Sequence, residues 1–290
     1  MKPTNSSPSL AKHHTQSTPN WCPGCGNFGI WVALKNAIAN LSIPHHNVVI
    51  VGDIGCSGKL AYWTEVNGFA TLHGRSIPVA EGLKMANRDL TVIVVAGDGG
   101  TLSEGLQHFI HACRRNVNIT VLMHNNQLYG LTKGQASSTS EKGYKSSTTP
   151  EGSFENPLNP SLLALVAQAT FVAAGFAGNA KHLTSMIEQA ISHEGFSYVD
   201  AYQPCVTYNY INTYAFYSER TYELEEGYDV TNRVNAMRRA MEIDSGEKFP
   251  IGVLYQEKGQ KTLEDNVLHS EAPLAKRDVS DISVDTLFGR

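Results

Sequence analysis

The sequence predicts an α/β protein with a doubly wound, mostly parallel β-sheet. Short apolar runs rich in β-branched residues alternate along the chain with segments whose apolar residues repeat at helical spacing. The runs are continuous rather than alternating, which is typical of strands that are covered by helices on both faces. Glycine and polar residues follow the runs directly, where parallel sheets bind their ligands.

The clearest elements lie before residue 210. A helix is expected directly after Cys25, where apolar residues repeat between Ile30 and Leu41. The form of a capping box at Thr101-Leu102-Ser103-Glu104 predicts the start of another helix, with Cys113 on its apolar face. The remaining predicted strands span residues 48–51, 91–96, 119–123, 170–174 and 198–202, and further helices lie near 161–169 and 182–193.

The length of 290 residues fits one large α/β domain or two modest ones. Residues 1–20 are polar and are expected to form a flexible arm, followed by a main domain at 21–210. Residues 132–160 form a polar stretch of a length that is usually functional or mobile. Residues 211–290 are interpreted as an extension that packs on the domain or on a partner, with a helix near 230–243 and a strand near 250–255.

The composition excludes some function classes. Apolar residues make up 41% of the chain and charged residues 17%, as in ordinary globular proteins. A formal charge of −4 without any basic run argues against nucleic-acid binding. No apolar stretch reaches the length of a membrane span, and the polar N-terminus lacks the core of a signal peptide, so a cytoplasmic location is expected.

The strongest local pattern combines Gly97-Asp98-Gly99, a helix, a strand and Asn125-Asn126. A diphosphate bound through Mg²⁺ needs hard oxygen ligands, and a carboxylate and an amide at the ends of neighbouring strands would supply two of them. The glycines would let the backbone approach the phosphates, and the following helix would add its free N–H groups. The alternative is an unrelated Gly-Asp turn and an Asn pair, both common in loops.

These residues resemble a known family. The segments GDGG and HNNQLYGLTKGQ are similar to the diphosphate-binding motif of thiamine diphosphate enzymes. Together with WCPGCGN, VGDIGCSGK, LHGRSIPVAEGLK and YVDAYQPC they resemble the β subunits of 2-oxoacid:ferredoxin oxidoreductases. The resemblance covers most of residues 20–210 and fades over the arm and the extension. It implies the diphosphate-domain fold of thiamine diphosphate enzymes.

The resemblance also implies a set of site residues. Asp98, Asn126 and the backbone carbonyl of Leu128 would bind Mg²⁺. The residues expected to contact thiamine diphosphate are Ile54, Gly55, Cys56, Ser57, His73, Gly99, Gly100, Gly130 and Leu131.

Four of the five cysteines are candidate metal ligands. Cys22 and Cys25 form a CxxC clamp, and Cys56 and Cys205 each follow a predicted strand, so that four sulfurs could converge at one sheet edge. By number they fit a 4Fe–4S cluster or a structural zinc equally well, and a CxxC could also be a redox dithiol. Cys113 lies on an apolar helix face and is interpreted as a core residue.

The context of Cys56 favours the cluster. Its loop, GDIGCSG, is the one that the resemblance places against thiamine diphosphate. A cluster there could accept electrons one at a time after decarboxylation, whereas zinc has no redox chemistry.

The resemblance implies oxidative decarboxylation of a 2-oxoacid to acyl-coenzyme A and CO₂, with reduction of ferredoxin. The substrate leans to 2-oxoglutarate, with pyruvate as the alternative. A partner α subunit would carry the pyrimidine-binding domain and the activating Glu. Lys59 is the best candidate to bind the substrate carboxylate, and Arg75 is a weaker one.

Three other functions remain open on the sequence. The chain could be part of a non-oxidative thiamine enzyme with a structural zinc, or an assembly subunit without activity. An arylpyruvate oxidoreductase is the third, although that family generally fuses further cluster domains to the thiamine domain.

Overall fold

A computed structural model of the chain describes residue 15, residues 18–268 and residues 273–278. Most of the predicted arm at residues 1–20 and the end of the predicted extension therefore lie outside the described residues. None of the helices in the described part is long and apolar enough to cross a membrane.

The centre of the fold is a mostly parallel sheet of eight strands, in the spatial order β2-β1-β3-β4-β8-β7-β10-β9. Only β10 and its neighbour β9 run against the others. The strands are β1 Val48–Gly52, β2 Asn67–Ala70, β3 Thr91–Gly97, β4 Thr120–Asn125, β7 Phe171–Phe176, β8 Ser197–Tyr202, β9 Thr221–Glu223 and β10 Phe249–Gln256, and a separate short hairpin contains β5 Leu128–Tyr129 and β6 Gln135–Ala136.

Helices cover both faces of this sheet. The helices are α1 Asn27–Asn40, α2 Leu60–Trp63, α3 Ser76–Ala86, α4 Leu106–Arg115, α5 Pro160–Val166, α6 Ala180–Ser192, α7 Tyr214–Arg220, α8 Arg233–Ala240 and α9 Leu263–Val267.

The two faces of the sheet bury separate cores. In β1, Val49 belongs to the core under α3, α4, α5 and α8, whereas Ile50 belongs to the core under α1 and α6. Because successive side chains of a strand point to opposite faces, a strand between two helical layers must be apolar throughout. This explains the continuous apolar runs and confirms the predicted doubly wound α/β class.

The carboxyl ends of the central strands meet at one edge of the sheet. Adjacent strands β1 and β3 lead in opposite directions, since β1 continues to β2 on one side and β3 to β4 on the other. A crevice forms at such a reversal of strand order, and ligands of open α/β sheets bind there. The residues that follow β1, β3, β4 and β8 are Asp53, Asp98, Asn126 and Gln203.

The predicted capping box at residues 101–104 is wrong. Residues Gly99–Glu104 form a wide π-type turn, and α4 begins only at Leu106, preceded by Gly105 without a side-chain cap. The Thr101 hydroxyl donates backward to the Gly97 carbonyl at 2.9 Å. Since β3 ends at Gly97 and Asp98 directly precedes this turn, the backbone bends around the sheet edge instead of entering a regular helix.

The segment after residue 210 continues the central sheet. The predicted helix and strand are observed as α8 and β10, and β10 pairs antiparallel with β7 through a register shift between Val253 and Tyr255. Phe249, Ile251 and Leu254 of β10 are buried in the core that α8 covers. The last strands of the sheet thus come from the part of the sequence predicted to be an extension.

Candidate functional site

A cleft of about 390 Å³ lies at the carboxyl edge of the sheet, beside the β1/β3 reversal. All of the residues that the sequence predicts to contact thiamine diphosphate line it, and so do Asp98, Asn126 and Leu128. The other lining residues are Gly97, Glu104, Tyr129, Thr132 and Gln135.

Asp98 is the most deeply buried acid of the cleft. Its side-chain oxygen Oδ2 accepts hydrogen bonds from the hydroxyls of Ser137 and Thr139, the latter at 2.7 Å. Its second oxygen, Oδ1, is buried and has no hydrogen-bond partner. Burial raises the pKa of this carboxyl to about 6, although both hydroxyls oppose the shift. A buried carboxylate oxygen without a partner is costly unless a cation binds it, so Asp98 fits a metal ligand.

Asn126 and Leu128 line the same cleft as Asp98 and follow β4, the strand next to β3. Asn126 Oδ1 accepts the backbone N–H of Leu128 at 3.1 Å and retains a second lone pair. The intervening Gln127 has a φ of 61°, in the left-handed region that bulky residues rarely adopt. This local turn holds the amide oxygen and the Leu128 backbone near each other. The combination of carboxylate, amide and carbonyl oxygens matches the hard ligands that Mg²⁺ prefers.

Two glycines bring the backbone close to the cleft wall. A Cβ on Gly99 would lie 2.3 Å from the ring of Tyr129, and one on Gly100 would lie 2.2 Å from Asp53 Oδ2. Neither position has room for a side chain, because these neighbours are held by their own packing. The turn that begins here therefore presents bare backbone to the cleft, as a diphosphate site requires.

His73 reaches the cleft from the segment before α3. Its Nδ1 lies 3.4 Å from Asp53 Oδ1, and its Nε2 lies 3.7 Å from Glu104 Oε2. The Asp53 carboxyl is fixed by the backbone N–H groups of Ile54 at 2.7 Å and Gly74 at 3.0 Å. Burial raises the pKa of Asp53, and the hydrogen bonds from Ile54 and Gly74 and the nearby His73 ring oppose this. His73 thus lies beside a buried carboxyl that the sequence analysis does not assign to the site.

The four candidate cluster ligands come together beside the cleft. Burial first, and then the charges of Cys205, Cys56 and Cys22, raise the pKa of the Cys25 thiol to about 12, against a backbone hydrogen bond from Asn27. The same neighbourhood raises the pKa of Cys56, with burial again the first cause. Only Cys56 of the four also lines the cleft. Cys113 is fully buried in the core, as predicted.

A site for a single metal ion differs in geometry from a site for a cluster of four iron atoms. Within the described residues, no group of three or more His, Cys, Asp and Glu side chains is arranged to hold one metal ion. The assignment of Cys22, Cys25, Cys56 and Cys205 as ligands therefore stays a prediction, supported by the mutual electrostatic influence of their thiols.

Trp21 ties the CxxC segment to the Cys56 loop. Its indole Nε1 donates to the Cys56 carbonyl at 2.7 Å, and its ring packs edge-on against Trp63 at 4.5 Å and Phe28 at 5.2 Å. Trp21, directly before Cys22, thus connects the CxxC segment to the loop that carries Cys56.

The two predicted cations for the substrate do not line the cleft. Lys59 Nζ donates to Asn20 Oδ1 at 3.3 Å, and its charge lowers the pKa of Cys56 against the effect of burial. Arg75 donates to the backbone carbonyls of Gly74 at 3.1 Å and Glu104 at 2.8 Å. Lys59 is placed beside the cysteines and Arg75 supports the turn after β3, so their proposed contact with substrate remains a prediction.

Sequence reasoning missed several residues that shape the site. Asp53 follows β1 as Asp98 follows β3, and this parallel placement is a signal that could have identified it. Ser137 and Thr139 belong to the long polar segment after residue 132. Their hydroxyls donate to Asp98, so part of this segment holds the Asp98 side chain in place. Gln203, directly before Pro204-Cys205, contacts both Asn126 and Cys25.

The fold and the cleft define a thiamine diphosphate-binding domain. Residues 53–201 match the family described as thiamine pyrophosphate enzyme, C-terminal TPP binding domain. Residues 205–271 match the family described as the C terminal of the pyruvate ferredoxin oxidoreductase beta subunit.

Curated relatives narrow the class. A 2-oxoacid:ferredoxin oxidoreductase subunit β from Sulfolobus sp is 45% identical over 248 residues, covering 82% of this chain and 81% of the relative. The 2-oxoglutarate oxidoreductase subunit KorB of Mycobacterium tuberculosis is 38% identical over an alignment that covers 86% of this chain and 63% of the relative.

A solved structure gives the same result. The 2-oxoglutarate:ferredoxin oxidoreductase from Magnetococcus marinus, with 2-oxoglutarate, coenzyme A and succinyl-CoA bound, superposes with a TM-score of 0.87 at 40% identity, covering 91% of this chain and 89% of that one. The chain belongs to the β subunits of the thiamine diphosphate-dependent 2-oxoacid:ferredoxin oxidoreductases. This confirms the resemblance that the motifs indicate, and a β subunit implies an α-subunit partner.

Proposed function

We propose that this chain, together with its α subunit, decarboxylates 2-oxoglutarate oxidatively to an acyl-coenzyme A and CO₂ and reduces ferredoxin. One observation carries the proposal. Asp98, whose buried oxygen lacks a partner, and Cys56, one of the converging cysteines, line the same cleft. A single cavity thus joins a candidate Mg²⁺–diphosphate site to a candidate redox centre.

Asp98, Asn126 and the Leu128 carbonyl are proposed to hold Mg²⁺, and the metal in turn would hold the diphosphate. Three features support this assignment: the unpartnered Asp98 Oδ1, the local turn at Gln127, and the bare backbone at Gly99 and Gly100. The Mg²⁺ charge would compensate the burial of Asp98 and restore its ionised form, because a bound cation is the largest local charge.

Cys22, Cys25, Cys56 and Cys205 are proposed to bind a 4Fe–4S cluster. Their thiols influence one another electrostatically, and the Asn27 backbone and Lys59 act against the rise in pKa that burial causes at Cys25 and Cys56 respectively, towards the thiolate forms that a cluster needs. The position of Cys56 in the cleft wall would place the cluster within reach of electrons from the reaction centre.

Thiamine diphosphate, when bound, supplies the carbanion chemistry of decarboxylation. The chain's own residues bind and orient. His73 lies beside Asp53 at the cleft wall, and Asp98, Asn126 and the Leu128 carbonyl would anchor the diphosphate end through the metal. Ile54, Leu131 and Tyr129 form an apolar wall that would exclude water from the reacting atoms.

The activating carboxylate is proposed to come from the α subunit. Glu104 lines the cleft with its Oε2 3.7 Å from His73 Nε2, but its Oε1 accepts from the Tyr129 hydroxyl at 3.0 Å and it ends the turn that precedes α4. Ile54 and Leu131 line the cleft and are exposed, and so is Leu72, which directly precedes His73. These exposed apolar residues suit coverage by a pyrimidine-binding domain of that partner.

The substrate rests on the relatives. The Magnetococcus marinus structure and the Mycobacterium tuberculosis relative are both named for 2-oxoglutarate. Pyruvate is the second candidate, because the C-terminal part of the chain matches a family named for pyruvate.

Co-expression with the α subunit and an assay of ferredoxin or viologen reduction would test the function. With coenzyme A present, 2-oxoglutarate is expected to give the highest kcat/KM in a panel that includes pyruvate and branched 2-oxoacids. Absence of reduction with every acid, in a complex loaded with cofactors, would refute the proposed activity. Zinc in place of iron and sulfide in the purified complex would refute the cluster.

The ligand assignment can be tested with a matched pair of cysteine variants. Cys56→Ser is expected to lose bound iron and viologen reduction while retaining part of its thiamine diphosphate binding. Cys113→Ala serves as the control and is expected to keep its iron, since its side chain belongs to the core. Full iron content in Cys56→Ser would show that Cys56 is not a ligand.

A further inference from the structure

Gln203 connects the two halves of the candidate site. It follows β8 directly and is 1% exposed. Its Oε1 accepts a hydrogen bond from Asn126 Nδ2 at 3.1 Å, and its Nε2 donates to Cys25 Sγ at 3.4 Å. One buried amide thus contacts a candidate Mg²⁺ ligand with its oxygen and a candidate cluster ligand with its nitrogen.

The direction of this hydrogen-bond chain is fixed by its ends. The Leu128 N–H donates to Asn126 Oδ1, so the nitrogen of the Asn126 amide faces Gln203. An NH₂ group can only donate, which requires the Gln203 oxygen on that side and leaves its nitrogen facing Cys25. A thiolate sulfur is an acceptor, and every donor in the chain therefore meets an acceptor.

The surroundings hold Gln203 in this position. Its backbone N–H donates to the Asn125 carbonyl at 2.9 Å, and the Gly26 N–H donates to the Pro204 carbonyl at 3.1 Å. A Cβ on Gly26 would lie 2.7 Å from Gln203 Cγ, so the glycine after the CxxC motif leaves room for the Gln203 side chain. The backbone of the CxxC segment and the end of β8 thus meet around this one residue.

We infer that Gln203 is a positioning residue that orients Asn126 towards Mg²⁺ and tunes the reduction potential of the cluster through its N–H···S bond to Cys25. The inference rests on the proposed function, because it assumes both cofactors. It predicts two separable effects, one for each end of the amide.

The hydrogen bond from Gln203 Nε2 to Cys25 Sγ is expected to affect the reduction potential of the cluster. Hydrogen bonds to cluster sulfurs stabilise the more negative, reduced cluster and so raise the potential. Without the Gln203 donor, the cluster is expected to become harder to reduce. The contact of Gln203 Oε1 with Asn126 is expected to affect Mg²⁺ binding. Residues that hydrogen-bond to metal ligands fix the orientation of those ligands, and their loss lowers metal affinity by about 10–100-fold.

Two variants separate the ends. Gln203→Met keeps the length of the side chain and removes all three of its hydrogen bonds, including the one that Nε2 donates to the Pro204 carbonyl at 3.3 Å. Gln203→Glu keeps an oxygen for Asn126 Nδ2 but presents a second oxygen, which has no hydrogen when ionised, to Cys25. Gln189→Met is the matched control, because Gln189 lies exposed on α6 and donates to Ser185.

The readouts are made on the αβ complex. An EPR-monitored redox titration gives the midpoint potential of the cluster, and titration of the metal-depleted complex with Mg²⁺ gives the half-saturating concentration for retention of thiamine diphosphate. Gln203→Met is expected to shift the potential to a more negative value and to need about tenfold more Mg²⁺. Gln203→Glu is expected to show the negative shift with a nearly unchanged Mg²⁺ requirement, and the control to change neither.

An unchanged potential in Gln203→Met, with iron and sulfide at wild-type content, would overturn the role at Cys25. An unchanged Mg²⁺ requirement in Gln203→Met would overturn the role at Asn126. If Gln203→Met does not fold, Gln203→Leu, which also lacks a donor and adds no charge, decides the role at Cys25. Failure of the proposed function has a different signature, because the wild-type complex would then reduce no acceptor with any 2-oxoacid, or would contain zinc in place of iron and sulfide.

Discussion

At the scale of single residues, the site is marked by polar atoms that folding buries without satisfying. Asp98 Oδ1 has no partner even though Ser137 and Thr139 hold the other oxygen of the same carboxyl. Native proteins pair nearly all buried polar atoms, and an exception calls for an explanation such as a missing ion. Asp98 is therefore the residue whose substitution separates stability from function most clearly.

Asp98→Asn is expected to weaken Mg²⁺-dependent binding of thiamine diphosphate by at least about 100-fold, beyond the range for losing an outer partner of a ligand. The metal-free variant should be at least as stable at pH 7 as the metal-free wild type, because the buried charge is gone. Calorimetric titration with the cofactor and thermal unfolding without metal measure the two effects. Asp89→Asn, an exposed acid paired with Lys276, is the control. Wild-type cofactor affinity in Asp98→Asn would exclude the assignment.

The same carboxyl gives the metal-free protein a characteristic pH dependence. Its folded-state pKa is raised to about 6 from an ordinary value near 4, so the protonated form is favoured by folding. Its contribution to stability is present below pH ~4 and is lost as the pH rises through ~6. The difference in unfolding free energy between wild type and Asp98→Asn should therefore shift in favour of the wild type on acidification through this window.

Gly100→Ala tests the close approach of the backbone to the cleft. The new methyl group would meet Asp53 Oδ2 at 2.2 Å and His73 Nδ1 at 3.2 Å, and both are held in place. The turn must shift away from its position, so we expect cofactor affinity to fall by at least about tenfold, which is 1.4 kcal/mol. Tryptophan fluorescence quenching on addition of thiamine diphosphate and Mg²⁺ measures the affinity. Unchanged binding would show that this turn does not contact the diphosphate.

At the scale of elements, the sequence predicted the buried strands and missed those without an apolar pattern. β1 and β3 are continuous β-branched runs, which only a central parallel strand makes favourable. β2, with the sequence Asn-Gly-Phe-Ala, is exposed at every residue and exists through backbone pairing with β1. No side-chain pattern could reveal such an edge strand.

Helix α3 was missed for a different reason. Pro78 and Gly82 both lower helix propensity, yet Pro78 lies in the first turn, where a missing N–H costs nothing. The capping-box pattern shows the opposite error, since it predicts a helix start that is not observed. The geometry of the cleft overrides the local preference at residues 101–104. Elements next to the site thus depart from local rules, whereas elements of the core follow them.

Gly82→Ala gives the structural counterpart of the Gly100 variant. Gly82 is exposed in α3, has an ordinary helical backbone, and would meet nothing within 4 Å on gaining a Cβ. The substitution should raise the unfolding free energy by about 0.5–1 kcal/mol, because alanine loses less backbone entropy in a helix. Chemical denaturation measures this gain, and cofactor binding should not change. A loss of stability would mean that α3 is packed differently on that face.

At the scale of the whole molecule, the sequence predicts the site residues that belong to one motif. It does not predict the contacts between segments that lie far apart in the sequence. The Gly97–Asp98 and Asn126 positions follow from strand ends, and all of the predicted contact residues line the cleft. The Gln203 link joins three segments far apart in sequence, and its hydrogen bonds depend on the register of β8 against β4. Spacing along one chain does not encode such a register.

The role of the segment after residue 210 is the remaining question at this scale. It is predicted to be an extension that packs on the domain or on a partner, and its strand β10 pairs with β7 and buries Phe249, Ile251 and Leu254 in the core. A chain that ends at residue 210 would leave the edge of β7 and this apolar surface open to water, which promotes aggregation. We expect it to be insoluble or unfolded. A chain that ends at residue 268 keeps β10 and α9, loses the surface pair of Lys276 and Asp89, and should unfold within a few degrees of the full chain. Size-exclusion chromatography and thermal unfolding of both fragments decide between the two descriptions, because a soluble, cooperatively folded 1–210 fragment would establish the segment as a separable extension.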